Sequence, residues 1–205
     1  WSMRFDLSAA TLDPRPDSET VIAAATRWAH SHRPDARILD LGTGTGCLLL
    51  ACLAELPQAT GVGIDISTEA VTVATANAGR HGLGGRARFC LADFAADLSG
   101  YGQFDVILSN PPYIPTADIE ALNADVRHFD PLAALDGGLD GLDCWRILCP
   151  QIALLLADEG AAFVEIGAGQ GRAVGRLGIT SKLQLAGSFA DLSGRERCLQ
   201  FEKEI

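Results

Sequence analysis

Short apolar runs alternate with stretches of helical periodicity along most of the chain. In five stretches apolar residues recur every three or four positions, as in an amphipathic helix: Ser18–His32, Cys47–Leu56, Thr68–His81, Leu142–Ala157 and Gln170–Leu177. Seven shorter apolar runs have the length and composition of strands: Arg37–Leu41, Thr60–Ile64, Ala87–Leu91, Phe104–Ser109, Ala161–Ile166, Leu183–Ser188 and Cys198–Glu202. Strands that alternate with helices predict an α/β domain with a mainly parallel sheet.

Several polar residues and glycines indicate where elements begin and end. Ser18 and Ser67 precede helical stretches and are predicted N-caps, whose side-chain oxygens accept backbone N–H groups. Gly82 suits the left-handed conformation that ends many helices. The turn Asp191–Arg195 has no room for a helix, so the last two strands are predicted to pair antiparallel at one edge of the sheet. The long, weakly patterned segment Ile114–Asp140 is predicted to be a functional lid rather than a linker.

The composition is that of one folded domain with a large core. The chain has 205 residues, of which 48% are hydrophobic and 20% charged, which excludes a disordered segment. Acidic residues outnumber basic ones by 26 to 16, whereas proteins that bind phosphate backbones usually show the opposite balance. This argues against autonomous nucleic-acid binding, although a local basic patch would not show in the total. The six cysteines form no Cys-x-x-Cys pair and predict reduced, mostly buried thiols in a cytosolic protein, with no zinc site. No apolar run is long enough to cross a membrane.

A glycine-rich loop, Gly42-Thr43-Gly44-Thr45-Gly46, directly follows the first predicted strand and precedes a helix. Its glycines permit positive φ angles and the close approach of a ligand to the backbone. Free N–H groups at the helix start favour a carboxylate or another anion. The spacing is Gly-x-Gly-x-Gly and differs from the dinucleotide-binding Gly-x-Gly-x-x-Gly. By itself the glycine cluster is weak evidence for a ligand site, because a tight turn without a ligand would explain it equally well.

Acidic residues follow the next two strands. Asp65 stands at the carboxyl edge of the sheet, where a carboxylate can accept both hydroxyls of a ribose. Asp93 is placed to accept from an exocyclic amine, and Phe94 to pack on an adenine face. Singly, these residues are better explained as helix-terminal or capping acids and a core aromatic. Together, at three neighbouring strand ends, they favour an adenosine ligand.

The fourth strand runs into Asn110-Pro111-Pro112-Tyr113. The two prolines stiffen this loop and fix the direction of its carbonyl groups. The side-chain oxygen of Asn110 and the carbonyl of Pro111 are two acceptors at a set spacing, which suits a planar NH₂ group. Tyr113 is placed to lie against the face of that group. A rigid turn would explain the prolines, but it would leave the flanking Asn and Tyr unexplained.

These motifs together look like a class I S-adenosylmethionine-dependent methyltransferase that alkylates a conjugated nitrogen. More narrowly, the chain resembles the PrmC/HemK family, the glutamine-N5 methyltransferases of peptide-chain release factors. Further stretches are similar to segments of that family: Pro14-Arg15-Pro16-Asp17-Ser18-Glu19, Asp130–Gly138 with Asp140-Gly141-Leu142, Glu165-Ile166-Gly167 with Gln170, and Asp191–Arg195. The likeness spans essentially the whole chain, and its motifs stand in the family's order.

The resemblance implies a Rossmann-like fold with an antiparallel last strand, S-adenosylmethionine as cofactor and S-adenosylhomocysteine as product. No metal is expected, and no general base is named because the alkylated nitrogen becomes acidic. The cofactor-binding residues that it implies are Gly42, Thr43, Gly44, Thr45, Gly46, Asp65, Asp93, Phe94 and Asn110. The implied catalytic residues are Asn110, Pro111 and Tyr113, and the implied substrate-binding residues are Asn110, Pro111, Pro112, Tyr113 and Arg15.

The resemblance also implies a release factor as the protein partner, a monomeric state and a cytoplasmic location. Residues 1–16 are expected to be a linker or hairpin, and residues 17–205 the catalytic domain. The family's N-terminal helical domain, which helps to dock the release factor, is expected to be missing before Trp1. Two positions depart from the family pattern: Asp130 stands where Glu is usual, and Phe94 stands where Trp is frequent.

Three other functions fit part of the pattern. An enzyme that methylates adenine N6 or guanine N2 in DNA or RNA would use the Asn-Pro-Pro-Tyr loop in the same way, but the negative charge and the lack of a basic insert oppose it. A Rossmann-like interaction module without catalysis is opposed by the intact Asn110 and glycine loop. An NAD-dependent oxidoreductase is opposed by the glycine spacing.

Overall fold

The computed structural model describes residues 1–123, 126 and 130–204. Within these residues, seven strands form one sheet in the order β3-β2-β1-β4-β5-β7-β6. The strands are β1 Arg37–Leu41, β2 Thr60–Asp65, β3 Ala87–Leu91, β4 Phe104–Ser109, β5 Leu156–Glu165, β6 Leu183–Ala190 and β7 Glu196–Lys203. The α-helices are α1 Glu19–His32, α2 Cys47–Glu55, α3 Thr68–Arg80, α4 Asp143–Leu155 and α5 Gly171–Thr180. The predicted α/β fold with its alternating elements is confirmed.

The first five strands of the sheet are parallel, and β7 lies antiparallel between β5 and β6. The antiparallel pairing of β6 and β7 was predicted from the short turn Asp191–Arg195 and is confirmed. In that turn the Asp191 carboxylate accepts the backbone N–H groups of Ser193 and Arg195, at 2.8 and 3.0 Å. The strand order reverses between β1 and β4, which is the place where open α/β sheets bind their ligands.

Two hydrophobic layers cover the two faces of the sheet. Alternate residues of β1 show the division, because Ile38 belongs to one layer and Leu39 to the other. The first layer includes side chains of α1, α2 and α3, and the second includes side chains of α4 and α5, with a fully buried Trp145. Burial on both faces explains why the central strands read as continuous apolar runs. In the part of the chain that the structure describes, no helix is long and apolar enough to cross a membrane.

The five predicted helices are confirmed, but α5 ends at Thr180 and not at the predicted Leu177, and two further details differ from the prediction. The hydroxyl of Ser67 accepts the N–H of Ala70 as an N-cap, and Gly82 has a left-handed φ of +68° after α3. Ser18, in contrast, is not an N-cap: its backbone is helical and its hydroxyl bonds to Glu165. Strand β5 begins at Leu156, within the stretch that was predicted to be helical. The first residues of β5 pair irregularly with β4 and do not alternate between buried and exposed positions. The sequence pattern therefore did not indicate a strand there.

The N-terminal residues 1–15 contain no helix or strand and lie against the first hydrophobic layer. Asn77 of α3 holds them from both sides: its amide oxygen accepts the Asp6 N–H at 2.8 Å, and its NH₂ group donates to the Asp6 carbonyl at 3.1 Å. The same NH₂ group donates to the carbonyl of Thr45 at 3.0 Å. The fully buried Asn77 thus joins the N-terminal segment to the glycine loop, while the linker boundary at residue 16 stays a prediction.

A buried carboxylate lies in β1. Asp40 is fully buried, and the hydroxyl of Thr43 donates to its Oδ2 at 2.7 Å. Its Oδ1 has no hydrogen-bond partner within the described part of the chain. Burial raises the pKa of Asp40 from its ordinary value of 3.8 to about 7, and the nearby negative charge of Asp65 adds to this effect.

The raised pKa makes stability depend on pH. Between pH 3.8 and about 7 the unfolded chain ionises Asp40 while the folded protein keeps its proton. The free energy of unfolding therefore falls as pH rises through this window, by at most about 1.4 kcal/mol per pH unit. In Asp40→Asn the side chain does not ionise, and its amide oxygen still accepts from Thr43. The stability of this variant relative to wild type should therefore rise from pH 5 to pH 7.

Urea denaturation at several pH values measures this difference. The exposed Asp35→Asn variant is the matched control, because it removes a carboxylate at the surface. A stability difference between Asp40→Asn and wild type that stays constant from pH 5 to pH 7 would contradict the account.

Candidate active site

The loops that carry the predicted site residues meet at one edge of the sheet. Leu41, the last residue of β1, pairs with Ile64 of β2 on one side and with Ser109 of β4 on the other. The next residues along the chain are Gly42, Asp65, which is the last residue of β2, and Asn110. The structure therefore brings the glycine loop, the acid at the end of β2 and the Asn-Pro-Pro-Tyr loop together at the point where the strand order reverses.

The three glycines of the first loop serve two purposes. Gly42, Gly44 and Gly46 have φ angles of +74°, +54° and +81°, which favour glycine. A methyl group added at Gly44 would meet no atom within 4 Å, so the backbone there is open. One added at Gly46 would press on the Phe89 ring and on Ala74 at 3.1–3.2 Å. Gly44 thus leaves room for a ligand, whereas Gly46 permits close packing.

The two threonines of the loop are buried and hold it in place. Thr43 donates from its hydroxyl to Asp40 and from its backbone N–H to the carbonyl of Ile64 at 2.9 Å. The Thr45 carbonyl accepts from Asn77. A contact of either threonine with the cofactor stays a prediction.

Asp65 supports the glycine loop directly. One carboxylate oxygen accepts the N–H of Gly44 and the other accepts the N–H of Ser67, both at 2.9 Å. A carboxylate oxygen accepts more than one hydrogen bond, so both oxygens retain capacity for ribose hydroxyls. Ile66, which the sequence reasoning did not single out, follows it with 70% of its surface exposed. Its exposure is a property of the folded chain, so no local sequence pattern pointed to it.

Asp93 and Phe94 lie at the edge of the same region. Asp93 is exposed, and its carboxylate accepts the N–H of Ala95 at 2.8 Å, so it caps its own turn. Phe94 is half-buried against the second hydrophobic layer. A methyl group added at Gly42 would lie 3.9 Å from its ring, which places the ring beside the glycine loop. The adenine roles of both residues stay predictions.

The Asn-Pro-Pro-Tyr loop is fixed by contacts from distant parts of the chain. Gln170 donates to the carbonyl of Tyr113 at 2.9 Å and to that of Gly141 at 3.2 Å, while its oxygen accepts the N–H of Gly167 at 3.0 Å. Pro111 is buried and Pro112 half-buried. One glutamine therefore joins this loop to the end of β5 and to the glycine turn before α4.

The segment after the loop braces it. Ile114 donates to the carbonyl of Leu135 at 3.0 Å and accepts from Gly137 at 2.8 Å. A methyl group added at Gly137 would lie 2.8 Å from the Cα of Tyr113, and one at Gly141 would collide with the carbonyl oxygen of Tyr113. Both ends of the predicted lid are thus tied to the site, and its residues 124, 125 and 127–129 lie outside the described residues.

A network of side chains that the sequence reasoning did not find lies behind the loop. Asn110 donates from Nδ2 to the hydroxyl of Ser18 at 3.3 Å, and Ser18 donates to Oε2 of Glu165 at 2.6 Å. The hydroxyl of Tyr113 donates to Oε1 of the same carboxylate at 3.2 Å. Ser18 and Glu165 lie 147 residues apart, so no local pattern links them. Only the motif positions of Pro14–Glu19 and of Glu165–Gly167 pointed toward them.

Burial governs the proton equilibria of this network. It raises the pKa of Glu165, although its two hydroxyl partners and the charge of Arg197 act in the opposite direction. Burial also raises the pKa of Tyr113 far above its usual value, and the negative charge of Glu165 adds to this rise. The Tyr113 hydroxyl therefore stays protonated near neutral pH and is not a base.

Arg15, a predicted substrate-binding residue, forms an ion pair with Asp130. The Asp130 side chain is almost fully buried, whereas 40% of the Arg15 side chain remains exposed. The pair joins the N-terminal segment to the segment Ile114–Asp140, which follows the Asn-Pro-Pro-Tyr loop. A substrate role for the exposed part of the guanidinium stays a prediction.

Comparison with known proteins places the chain among methyltransferases. A family model described as a methyltransferase domain matches residues 32–137. The release factor glutamine methyltransferase of Rhodospirillum rubrum is 52% identical over 199 residues, which cover 97% of this chain and 60% of that protein. The proteins of the same name from Bradyrhizobium diazoefficiens and Agrobacterium fabrum are 45% and 42% identical, and the chain covers 69% and 68% of their length.

Solved structures share the fold. A ribosomal protein L11 methylase from Lactobacillus delbrueckii superposes with a TM-score of 0.71 at 18% identity, covering 99% of this chain and 86% of that one. A release-factor-specific protein-(glutamine-N5) methyltransferase from Alicyclobacillus acidocaldarius superposes with a TM-score of 0.56 at 24% identity, covering 94% of each chain. These likenesses establish the class I S-adenosylmethionine-dependent methyltransferase fold. The sequence identity to the Bradyrhizobium diazoefficiens and Agrobacterium fabrum proteins shows that the chain belongs to the release factor glutamine methyltransferase family.

Proposed function

We propose that this chain transfers a methyl group from S-adenosylmethionine to the side-chain amide nitrogen, N5, of a glutamine in the Gly-Gly-Gln-type loop of a peptide-chain release factor, and so modulates translation termination. The names of the relatives support this substrate. The observation that carries the proposal is the pairing of Leu41 with Ser109, which starts the glycine loop and the Asn-Pro-Pro-Tyr loop side by side. A donor site and an acceptor site that adjoin in this way suit direct group transfer.

The residues present fit the cofactor. The open space over Gly44 and the positive φ angles of the loop leave backbone accessible at the start of α2. Asp65 has lone pairs left for ribose hydroxyls, and Ile66 and Phe94 offer apolar surface nearby for an adenine ring. When bound, the cofactor supplies an electrophilic methyl group on a sulfonium sulfur.

The residues of the acceptor loop hold the amide that receives the methyl group. Oδ1 of Asn110 and the carbonyl of Pro111 accept the two N–H bonds of the glutamine amide, while Tyr113 flanks its plane. These acceptors align the nitrogen and stabilise the positive charge that develops on it. Tyr113 does not serve as a base, since its hydroxyl keeps its proton, and no base is assigned. The methylated nitrogen is acidic and releases its proton late, to solvent.

The same proposal assigns the partner and its setting. The substrate is a loop of another protein, with no direct contact to nucleic acid or membrane, and the chain acts as a monomer in the cytoplasm. An acidic chain with dispersed basic residues supports a protein substrate over a nucleic-acid one.

Asn110→Ala tests the acceptor loop. Removal of one oriented acceptor should lower the turnover number by roughly 100-fold, while the cofactor dissociation constant stays within about twofold. Initial rates of transfer from labelled cofactor to a release factor measure this, with the Gln→Ala release factor and DNA as alternative acceptors. Gln58→Ala, an exposed amide after α2, is the control variant. Unchanged turnover in Asn110→Ala, or labelling of DNA in place of the release factor, would contradict the proposal.

Asp65→Ala tests the cofactor site. A hydrogen bond to a charged group contributes about 1.5–3 kcal/mol, so the dissociation constant of S-adenosylhomocysteine should rise by at least about tenfold. Titration calorimetry with 2′-deoxy-S-adenosylhomocysteine separates ribose contact from loop support: wild type should discriminate against the analogue, and Asp65→Ala should not. Equal discrimination by both proteins would show that Asp65 does not bind the ribose.

A further inference from the structure

The side-chain NH₂ group of Asn110 donates a hydrogen bond to Ser18, and Ser18 donates one to Glu165, so both hydrogen bonds run in the same direction. Ser18 and Glu165, which form them, are 5% and 1% exposed. We propose that these two are positioning residues that set which end of the Asn110 amide faces the methyl acceptor. This inference rests on the proposed function, in which Oδ1 of Asn110 accepts an N–H bond of the substrate.

The strand register brings the three side chains together. Ser109 of β4 pairs with Val164 of β5, so the next residues of the two strands, Asn110 and Glu165, lie next to each other at the edge of the sheet. Ser18 comes from the turn that precedes α1 and lies within 2.6 Å of one residue and 3.3 Å of the other. Its predicted capping bond is absent, and its hydroxyl is used in this network.

The protons available in the network determine which group donates and which accepts in each hydrogen bond. In the structure both oxygens of Glu165 accept hydroxyl groups, one from Ser18 and one from Tyr113, and a serine hydroxyl has a single proton to donate. The Ser18 hydroxyl donates that proton to Glu165, so it can only accept a hydrogen bond from Asn110. The NH₂ end of the Asn110 amide must therefore face Ser18, and its oxygen points away from Ser18. The opposite orientation would place two oxygen acceptors against each other with no proton between them.

Glu165 acts on both ends of the acceptor loop. Its Oε2 accepts a hydrogen bond from Ser18, which orients Asn110 at the start of the loop. Its Oε1 accepts one from the hydroxyl of Tyr113 at the end of the loop. Gly167, two residues further on, leaves room for the Tyr113 ring, because a methyl group added there would lie 3.0 Å from it. One buried carboxylate thus orients the acceptor oxygen and the aromatic ring without contact to the reacting atoms.

Replacement of Glu165 by Gln would disturb this direction at constant size. A glutamine presents an NH₂ donor as well as an oxygen acceptor. Where that donor faces Ser18, the serine proton is free to bond to Oδ1 of Asn110 and the amide is free to turn over. Ser18→Ala removes the link altogether, whereas Ser18→Thr keeps a hydroxyl at the same place.

Kinetics with a release factor and calorimetry with S-adenosylhomocysteine test the proposal. We expect Ser18→Ala and Glu165→Gln each to lower the turnover number by about tenfold or more with an unchanged cofactor dissociation constant, since neither contacts the cofactor loop. Ser18→Thr should restore most of the turnover. The double variant should lose little more than Glu165→Gln alone, because Ser18 acts only through the Asn110 amide, whereas Glu165 also holds the Tyr113 hydroxyl. Wild-type turnover in Ser18→Ala, or losses that multiply in the double variant, would overturn the proposal.

A second readout does not depend on activity. The side-chain ¹⁵N–¹H₂ resonances of Asn110, identified by their loss in Asn110→Asp, should shift in Ser18→Ala and in Glu165→Gln and return toward wild type in Ser18→Thr. Resonances that stay unmoved in Ser18→Ala would refute the network. If they shift while wild type fails to methylate a release factor, the positioning network stands and the proposed function fails.

Discussion

Parallel pairing of β1 with both β2 and β4 is the constraint on which the site depends. The last residue of β1 lies in register with Ile64 and Ser109, so three loops leave the sheet at one level and on one edge. Burial on both faces fixes this register, because a slip of one residue would exchange the side chains of the two hydrophobic layers. The core therefore determines the distance between the loop assigned to the methyl donor and the loop assigned to the acceptor.

Behind these loops lie residues that hold them in place. Gln170, Gly137 and Gly141 fix the backbone of the acceptor loop, and Ser18 and Glu165 hold its side chains. On the donor side, Asn77 and Asp65 fix the glycine loop through its own backbone. Preorganisation of this kind matters for transfer to an amide, whose lone pair is delocalised and whose alignment must be set before the reaction.

The fold was largely predictable from the sequence because hydrophobic periodicity reports burial. β1, β3 and β4 have the predicted bounds, since each is a short apolar run between clear turns. The irregular start of β5 lacks alternation, and its extent was missed for that reason. The residues that lie at strand ends were also predictable, because a parallel sheet brings such positions to one edge.

Contacts between distant residues were not predictable in the same way. Ser18 has the sequence context of an N-cap, and its partner Glu165 is 147 residues away, so the local rule gave the wrong assignment. Asp93 likewise satisfies a bond in its own turn, and its contact with a ligand rests on resemblance. A hydroxyl or carboxylate has several partners open to it, and only the folded chain decides among them.

Tandem mass spectrometry of a release factor, after incubation with this chain and S-adenosylmethionine, tests the proposed methyl transfer. We expect one added methyl group, located on the side chain of the glutamine in the Gly-Gly-Gln loop, and none on a Gln→Ala release factor. An unmodified glutamine in the presence of a chain that binds the cofactor, or a methyl group on another residue, would contradict it.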